Sequence, residues 1–213
     1  MKSTLNKPSA KSGARVPGRR RRRLADETRD EALASARKIL IRSGAGAVTL
    51  KAVADDVGTT HTNLVHHFGS VGALQSELMS LMVRELAAAL MDVVTHVRSD
   101  AVVPRTLVTM VFDAFDKGGA GALAAWISFS GNLRYLKPVR EAVTELVTAI
   151  DDKFARESGE VHLTVTSAVL FVALMAFGDA VIGAPLREML GRDRAASRKI
   201  ASFLLPKLFT PAG

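Results

Sequence analysis

Six short polar side chains lie close together between residues 60 and 67 of this 213-residue chain. They are Thr60, His61, Thr62, Asn63, His66 and His67. Hydroxyl, imidazole and amide groups of this kind bond to the base edges and phosphate oxygens of nucleic acid. An asparagine such as Asn63 can pair with adenine through two hydrogen bonds, and threonine methyl groups contact thymine methyl groups. The cluster therefore predicts a surface that reads DNA.

Two short helices joined by a glycine turn would position this cluster. Thr49 is placed to cap a helix over residues 50–57 that ends at Gly58, and Thr59 or Thr60 to cap a second over 61–67. Apolar side chains at helical spacing would hold the pair together, with the small Ala54 at the crossing: Val53, Val57, Leu64 and Phe68. This pattern is typical of a helix-turn-helix, whose second helix enters the major groove.

The flanking sequence predicts further helices and no strand. A capping box, Thr28 to Glu31, predicts the start of the first helix, and Gly44 predicts its end. A long helix should open at Gly69 and Ser70. Beyond it the apolar pattern predicts helices over residues 104–117, 120–132, 138–157, 161–182 (broken near Gly183 and Pro185) and 194–209. The expected fold class is all-α, with about nine helices.

The positive charge of the chain is concentrated at its N-terminus. Residues 1–23 hold nine of the 29 basic side chains and none of the 21 acidic ones. Five of them form an arginine run: Arg19, Arg20, Arg21, Arg22 and Arg23. Their composition predicts a disordered basic arm. Its partner would be a polyanion, either nucleic acid or an anionic membrane surface, and the alternative is a solvated tail.

Enzymatic and metal-binding functions are not favoured by the residues. His61, His66 and His67 lack the i, i+4 spacing of a helical zinc pair, and the chain has no cysteine. Adjacent acids, Asp55 with Asp56 and Asp151 with Asp152, point in different directions on a helix. No phosphate-binding glycine loop or nucleophile elbow occurs. We therefore expect no catalysis, no cofactor and no metal.

Residues 28–79 resemble the DNA-binding domain of the TetR family of bacterial transcriptional regulators. The matching positions are Thr49-Leu50, Val53-Ala54, Gly58, Leu64, His67-Phe68, Ser70 and Leu74. The resemblance implies a helix-turn-helix domain over residues 24–70, with the motif at 49–68. It further implies an effector-binding and dimerisation domain over 71–213. A cytoplasmic homodimer on near-palindromic operator DNA is then expected, usually a repressor that a small-molecule effector releases.

Two departures from the family pattern concern phosphate contacts. The family usually has Tyr at the position of Val65 and Lys at that of Val71. Residues 24–70 carry five basic and six acidic side chains, so this domain is not electropositive. Because phosphate neutralisation supplies much of DNA affinity, we expect the arginine run, together with Thr49 and Lys51, to provide it. The alternative is a helical dimer that has lost DNA binding.

Two further sets of residues are candidates for sites in the C-terminal part. Aromatic side chains on the middle helices are expected to line the effector pocket: Phe112, Phe115, Trp126, Phe129 and Tyr135. A stripe of mostly small side chains suits close helix packing across a dimer: Ala168, Val172, Ala176, Ala180 and Ala184. The same stripe would suit a transmembrane dimer. The charge-free run is, however, shorter than the ~20 residues of a span and meets Asp179, so a buried dimer helix is favoured over a membrane-associated protein.

Overall fold

A computed structural model describes residues 17–96, 103–131, 137–154 and 161–209. Within these ranges the regular structure is helical and no strand forms, as the sequence predicts. The α-helices are α1 (Pro17–Ser43), α2 (Leu50–Val57), α3 (His61–Phe68), α4 (Val71–His96), α5 (Val103–Phe115), α6 (Ala120–Phe129), α7 (Lys137–Phe154), α8 (Val161–Gly178), α9 (Ala184–Met189) and α10 (Ala196–Leu204). A π-helical segment, Asp179–Gly183, joins α8 to α9, and 3₁₀ turns occupy Ala45–Ala47 and Leu205–Phe209.

The first helix begins earlier than the sequence predicts. α1 starts at Pro17, so the backbone of the arginine run is helical rather than part of a disordered arm. Proline is tolerated at the first helical position, and arginine, leucine and alanine are good helix formers. These preferences extend the helix backwards through Thr28, and the capping box does not mark its N-terminus. Residues 1–16 of the predicted arm lie outside the described residues.

The N-terminal helices share one core with two helices of the C-terminal part. Leu64 and Val53 are fully buried, and they belong to the same apolar cluster as Leu74 of α4 and Leu123 and Ile127 of α6. Helix α6 also contacts the 3₁₀ turn between α1 and α2. The helix-turn-helix therefore packs directly against α4 and α6. A movement of either helix would change the position of the helix-turn-helix.

A second core lies among α5, α8 and α10. Phe112 and Val108 of α5 pack against Val172 and Ala176 of α8 and against Ala201 of α10, all with less than a tenth of their surface exposed. Arg198 of α10 lies over the Phe112 ring, 5.6 Å from the ring centroid to the guanidinium carbon. This core fixes the last helices to the body.

The predicted break near Gly183 and Pro185 does not occur, because the chain remains helical from α8 through the π-helical segment into α9. Pro185 falls in the first turn of α9, where its missing N–H is tolerated. Asp179 forms an ion pair with Arg187 and accepts a hydrogen bond from Ser197 Oγ, 2.6 Å away. A side chain at Gly183 would collide with Asp179, so glycine permits this close packing.

By length and composition alone, one helical stretch of the described residues, Val165–Met189, could cross a membrane. One side of this stretch packs into the second core through Ala168, Val172 and Ala176, and Val165 is also buried. Core helices of globular proteins share this composition, so the stretch is weak evidence for a membrane protein.

Candidate nucleic-acid interface

The ends of α2 and α3 lie where the sequence predicts them. Thr49 Oγ1 accepts a hydrogen bond from the Ala52 amide at 3.1 Å, and Thr60 Oγ1 accepts one from the Asn63 amide at 3.1 Å. Gly58 ends α2 with a φ of 71°, in the left-handed region that favours glycine. Each helix therefore has a side-chain cap at its start, which satisfies one of its free amide groups.

The inner face of the motif is apolar, as predicted. Val53, Ala54, Leu64 and Phe68 are buried. At the far end of α2, Ser35 Oγ of α1 donates to Asp56 Oδ2 at 2.7 Å. The buried sides of α2 and α3 are thus held against the rest of the protein. The opposite side of α3 faces solvent.

The exposed surface of α3 carries the polar cluster. Thr60, His61, Thr62 and His66 are exposed, while Asn63 and His67 are half-buried. Asn63 Nδ2 donates to Thr59 Oγ1 at 3.0 Å, which orients the amide side chain. Within the described residues no three metal-binding side chains converge on one point. The structure brings the predicted reading residues onto one accessible face, and their contact with DNA remains a prediction.

Lys51, an exposed basic side chain of α2, is already paired. Lys51 Nζ lies 2.8 Å from Asp55 Oδ2, one turn along α2. The hydrogen bond and the negative charge of Asp55 raise the pKa of Lys51 above its ordinary value. Val65 and Val71 are exposed, with 38% and 40% of their surface accessible, at the positions where the family usually has Tyr and Lys. Lys51 must therefore leave or share Asp55 to contact a phosphate.

Arg29 connects three helices at the C-terminal end of α3, and sequence reasoning missed this role. Its guanidinium donates to the main-chain oxygen of His67 at 2.9 Å, forms an ion pair with Glu77 of α4, and lies 4.9 Å from the centroid of the Phe68 ring. Glu77 is 48 residues from Arg29 along the chain, so no local pattern could reveal the pair.

Helix α4 also holds the start of the motif. Gln75 Nε2 donates to the main-chain oxygen of Val48 at 3.0 Å, in a buried position just before α2. With the Arg29–Glu77 pair, α4 therefore fixes both ends of the helix-turn-helix. The orientation of α3 depends on the position of α4.

The predicted aromatic pocket is not assembled by the described residues. Phe112 is buried in the second core, whereas Trp126 and Phe129 are exposed, the latter with 83% of its surface accessible. The Trp126 ring packs against Gly46, where a Cβ would lie 3.1 Å from it. Phe115 alone of this set lines a crevice, which lies beside α1 and α4. Tyr135 lies outside the described residues.

The stripe predicted for the dimer interface faces mainly inward. Ala168, Val172 and Ala176 are buried in the second core of the same protomer, Ala180 packs near Gly121 of α6, and only Ala184 is exposed. Ala168, Val172 and Ala176 are therefore not on the surface of the protomer. Helix α8 is apolar on all sides, so its sequence does not show which side faces the core.

A different set of apolar side chains is exposed on α8, the π-helical segment and α10. We call this set the apolar face. Each member has 44–66% of its surface exposed: Leu170, Leu174, Val181, Ile200 and Phe203. Helices α8 and α10 contact each other, so these side chains occupy neighbouring helices. Exposed apolar patches of this kind mark contact surfaces.

Solved structures with this arrangement of helices exist. A TetR-family transcriptional regulator from Pectobacterium atrosepticum is 18% identical, with a TM-score of 0.63 over 88% of this chain and 94% of that one. A TetR-family regulator from Agrobacterium tumefaciens is 16% identical, with a TM-score of 0.58 over 86% and 98%. The chain has the TetR-family fold.

A third similar structure is that of the fatty acid degradation regulator FadR from Bacillus halodurans. It is 12% identical, with a TM-score of 0.59 over 84% of this chain and 94% of that one. No family model and no curated protein matches the sequence. At these identities the likeness establishes the fold alone.

Proposed function

We propose that this protein is a dimeric transcriptional regulator that binds near-palindromic operator DNA through α3. The observation that carries the proposal is the exposed polar surface of α3, displayed by a helix whose opposite side is buried. His61, Thr62 and Asn63 lie on the first turn of α3, the part of a recognition helix that contacts base edges. Asn63 would read adenine, and the threonine methyl groups would contact thymine.

Phosphate contacts come from outside the motif in this proposal. Lys51 is engaged by Asp55, and the domain over residues 24–70 has no excess of positive charge. The arginine run lies on the first turns of α1, the helix that precedes α2 and α3 along the chain. It tracks the DNA backbone or enters the adjacent minor groove, as basic N-terminal segments of other DNA-binding proteins do.

The apolar face is the proposed dimer interface. A two-fold dimer buries the same patch on both subunits, which suits exposed apolar side chains on elements that contact each other. Leu174 and Phe203, with 61% and 66% of their surface exposed, lose the most solvent contact on pairing. The dimer would place two α3 helices in successive major grooves, about 34 Å apart.

Regulation follows from the packing of α4 and α6 against the helix-turn-helix. An effector that binds the C-terminal part more tightly in one arrangement of α4 shifts the population toward it, and lowers operator affinity in proportion. Repression released by an effector is therefore the proposed mode of action.

The test is selection of bound sites from a random duplex library with the full-length protein at moderate salt. We expect a near-palindromic motif whose half-sites are about ten base pairs apart. The matched control is Asn63→Ala, for which the motif should lose information at one position of each half-site. A folded dimer that selects no motif would contradict the proposal. Flotation of that dimer with anionic vesicles would then favour a membrane role for its basic segment.

A further inference from the structure

A crevice of about 240 Å³ opens between α1, α4 and the α5–α6 turn. Its walls are apolar side chains of α4 together with one aromatic ring of α5: Met79, Met82, Val83, Leu86 and Phe115. Pockets for drug-sized ligands are larger, at roughly 300–1,000 Å³. The space therefore fits a molecule of one or two rings.

The two charged groups of the crevice neutralise each other. Arg37 of α1 and Glu85 of α4 both line it, and Arg37 Nη1 lies 2.5 Å from Glu85 Oε2. Both side chains are more than a third exposed, so they stand on the solvent side of the apolar walls. A charged ligand would have to break this pair or bury a charge beside apolar walls, and both cost free energy.

Two ion pairs between α1 and α4 connect the crevice with α3, the proposed reading helix. Arg29 pairs with Glu77 and Arg37 pairs with Glu85, so the partners advance by eight residues on both helices. α1 and α4 therefore run parallel, with one ion pair beside the crevice and the other beside the end of α3. Arg29 of the second pair bonds the main-chain oxygen of His67.

We infer that this crevice is the effector site, and that its ligand is a small, uncharged, apolar molecule of one or two rings. The regulatory part of this inference rests on the proposed function. Ligand binding at the crevice is independent of it. A ligand seated here lies between α4 and the α5–α6 turn, with Arg37 of α1 at its solvent side. It favours an arrangement in which α4 is displaced relative to α1, which moves Arg29 and Glu77 relative to each other and changes the orientation of α3.

Ligand binding is tested with a neutral probe and its charged analogue. The full-length protein is dialysed to equilibrium against 2-naphthol, which is uncharged at pH 7, and separately against 2-naphthoate. We expect 2-naphthol to bind at one site per protomer, at least tenfold more tightly than 2-naphthoate. Equal affinities, or no saturable binding of 2-naphthol, would overturn the inference.

Three variants locate the site. Val83→Phe fills the crevice and should weaken 2-naphthol at least tenfold, whereas Val143→Phe, at an exposed position of α7 that does not line the crevice, should change it less than twofold. Glu85→Gln leaves the Arg37 guanidinium without its partner, so the preference for 2-naphthol over 2-naphthoate should fall at least fivefold. Because Glu85 lies on the surface, Glu85→Gln still tests the location of the site if Val83→Phe fails to fold. An unaltered preference in Glu85→Gln would place the probe elsewhere.

The regulatory part is measured on a DNA duplex that the protein selects. Saturating 2-naphthol should weaken duplex binding by wild type at least threefold and leave Val83→Phe unaffected. Bound 2-naphthol without any change in duplex affinity would overturn the effector role. If the protein selects no duplex at all, the proposed function fails while the dialysis result still decides the ligand site.

Discussion

Arg29 Nη1 donates a hydrogen bond to the main-chain carbonyl oxygen of His67, 2.9 Å away, in the last turn of α3. The same guanidinium pairs with Glu77 and lies over the Phe68 ring. One side chain of α1 thus joins the end of the proposed reading helix to α4. The arrangement gives α4 a direct connection to the DNA-binding surface.

Arg29→Ala should weaken operator binding more than it destabilises the fold. Loss of a partly exposed, charged hydrogen-bond network lowers the free energy of unfolding by about 1 kcal/mol. Operator affinity should fall at least tenfold, because the end of α3 is no longer held at a fixed angle. Urea unfolding and fluorescence anisotropy measure the two effects. Arg84→Ala, an exposed arginine of α4 bonded to Ser80, is the control, and equal affinities of the two variants would contradict this role.

The caps of α2 and α3 were predictable because they depend on neighbours in sequence. A threonine side chain reaches an amide three residues ahead, and glycine adopts a left-handed conformation without steric cost. The start of each helix and the end of α2 could therefore be predicted from Thr49, Thr60 and Gly58. The exposed polar surface of α3 followed from helical periodicity, because apolar residues occupy the opposite side.

The remaining features depend on contacts between distant parts of the chain. Helix α8 is apolar on every side, so periodicity does not distinguish its buried Ala176 from its exposed Leu174. The start of α1 was missed because a local cap at Thr28 competes with the helix preference of the preceding residues. The Arg29–Glu77 and Arg37–Glu85 pairs appear only once α1 and α4 are packed together.

Replacing the arginine run by five alanines should reduce DNA affinity for all sequences alike. Alanine preserves the helical backbone of α1 while it removes the charge. Each lost phosphate contact should reduce the slope of log affinity against log salt by about 0.9. The slope is measured by anisotropy between low and moderate salt. Arg140→Ala, at an exposed position of α7, should leave the slope unchanged, and an unaltered slope in the five-alanine variant would exclude the run as a phosphate contact.

Leu174→Arg should separate the protomers. The leucine is 61% exposed on the apolar face, and a charge buried in an apolar interface has no partner there. Sedimentation velocity should show a dissociation constant at least about tenfold weaker than that of wild type. Val143→Arg, at an exposed position of α7, should remain dimeric. A Leu174→Arg protein as dimeric as wild type would place the interface on another surface.

Asp113 should stabilise the contact between α5 and α10 in a pH-dependent way. Burial raises the pKa of Asp113, but hydrogen bonds from Arg198 and Lys117 outweigh it and hold the pKa below its ordinary value of 3.8. Since the folded protein favours the ionised form, this stabilisation is complete above the unfolded pKa and disappears as pH falls through the folded one.

Asp113→Asn should therefore lower the free energy of unfolding at pH 7 by about 0.5–1 kcal/mol. The difference from wild type should shrink as pH is lowered from about 5 to below 3.8. Urea unfolding across this range measures the difference, with Asp152→Asn, at an exposed position of α7, as the control. A difference that is constant with pH would show that the carboxylate charge does not contribute.

The central claim is that α3 reads base edges, and Asn63→Ala tests it most directly. Binding of wild type and variant is measured on the selected palindrome and on a scrambled duplex of the same length and composition. Wild type should prefer the palindrome by at least about 10³-fold. Asn63→Ala should lose roughly 10- to 100-fold of that preference while its affinity for the scrambled duplex stays the same. An Asn63→Ala protein with wild-type affinity and base preference would contradict the assignment of α3 as the reading helix.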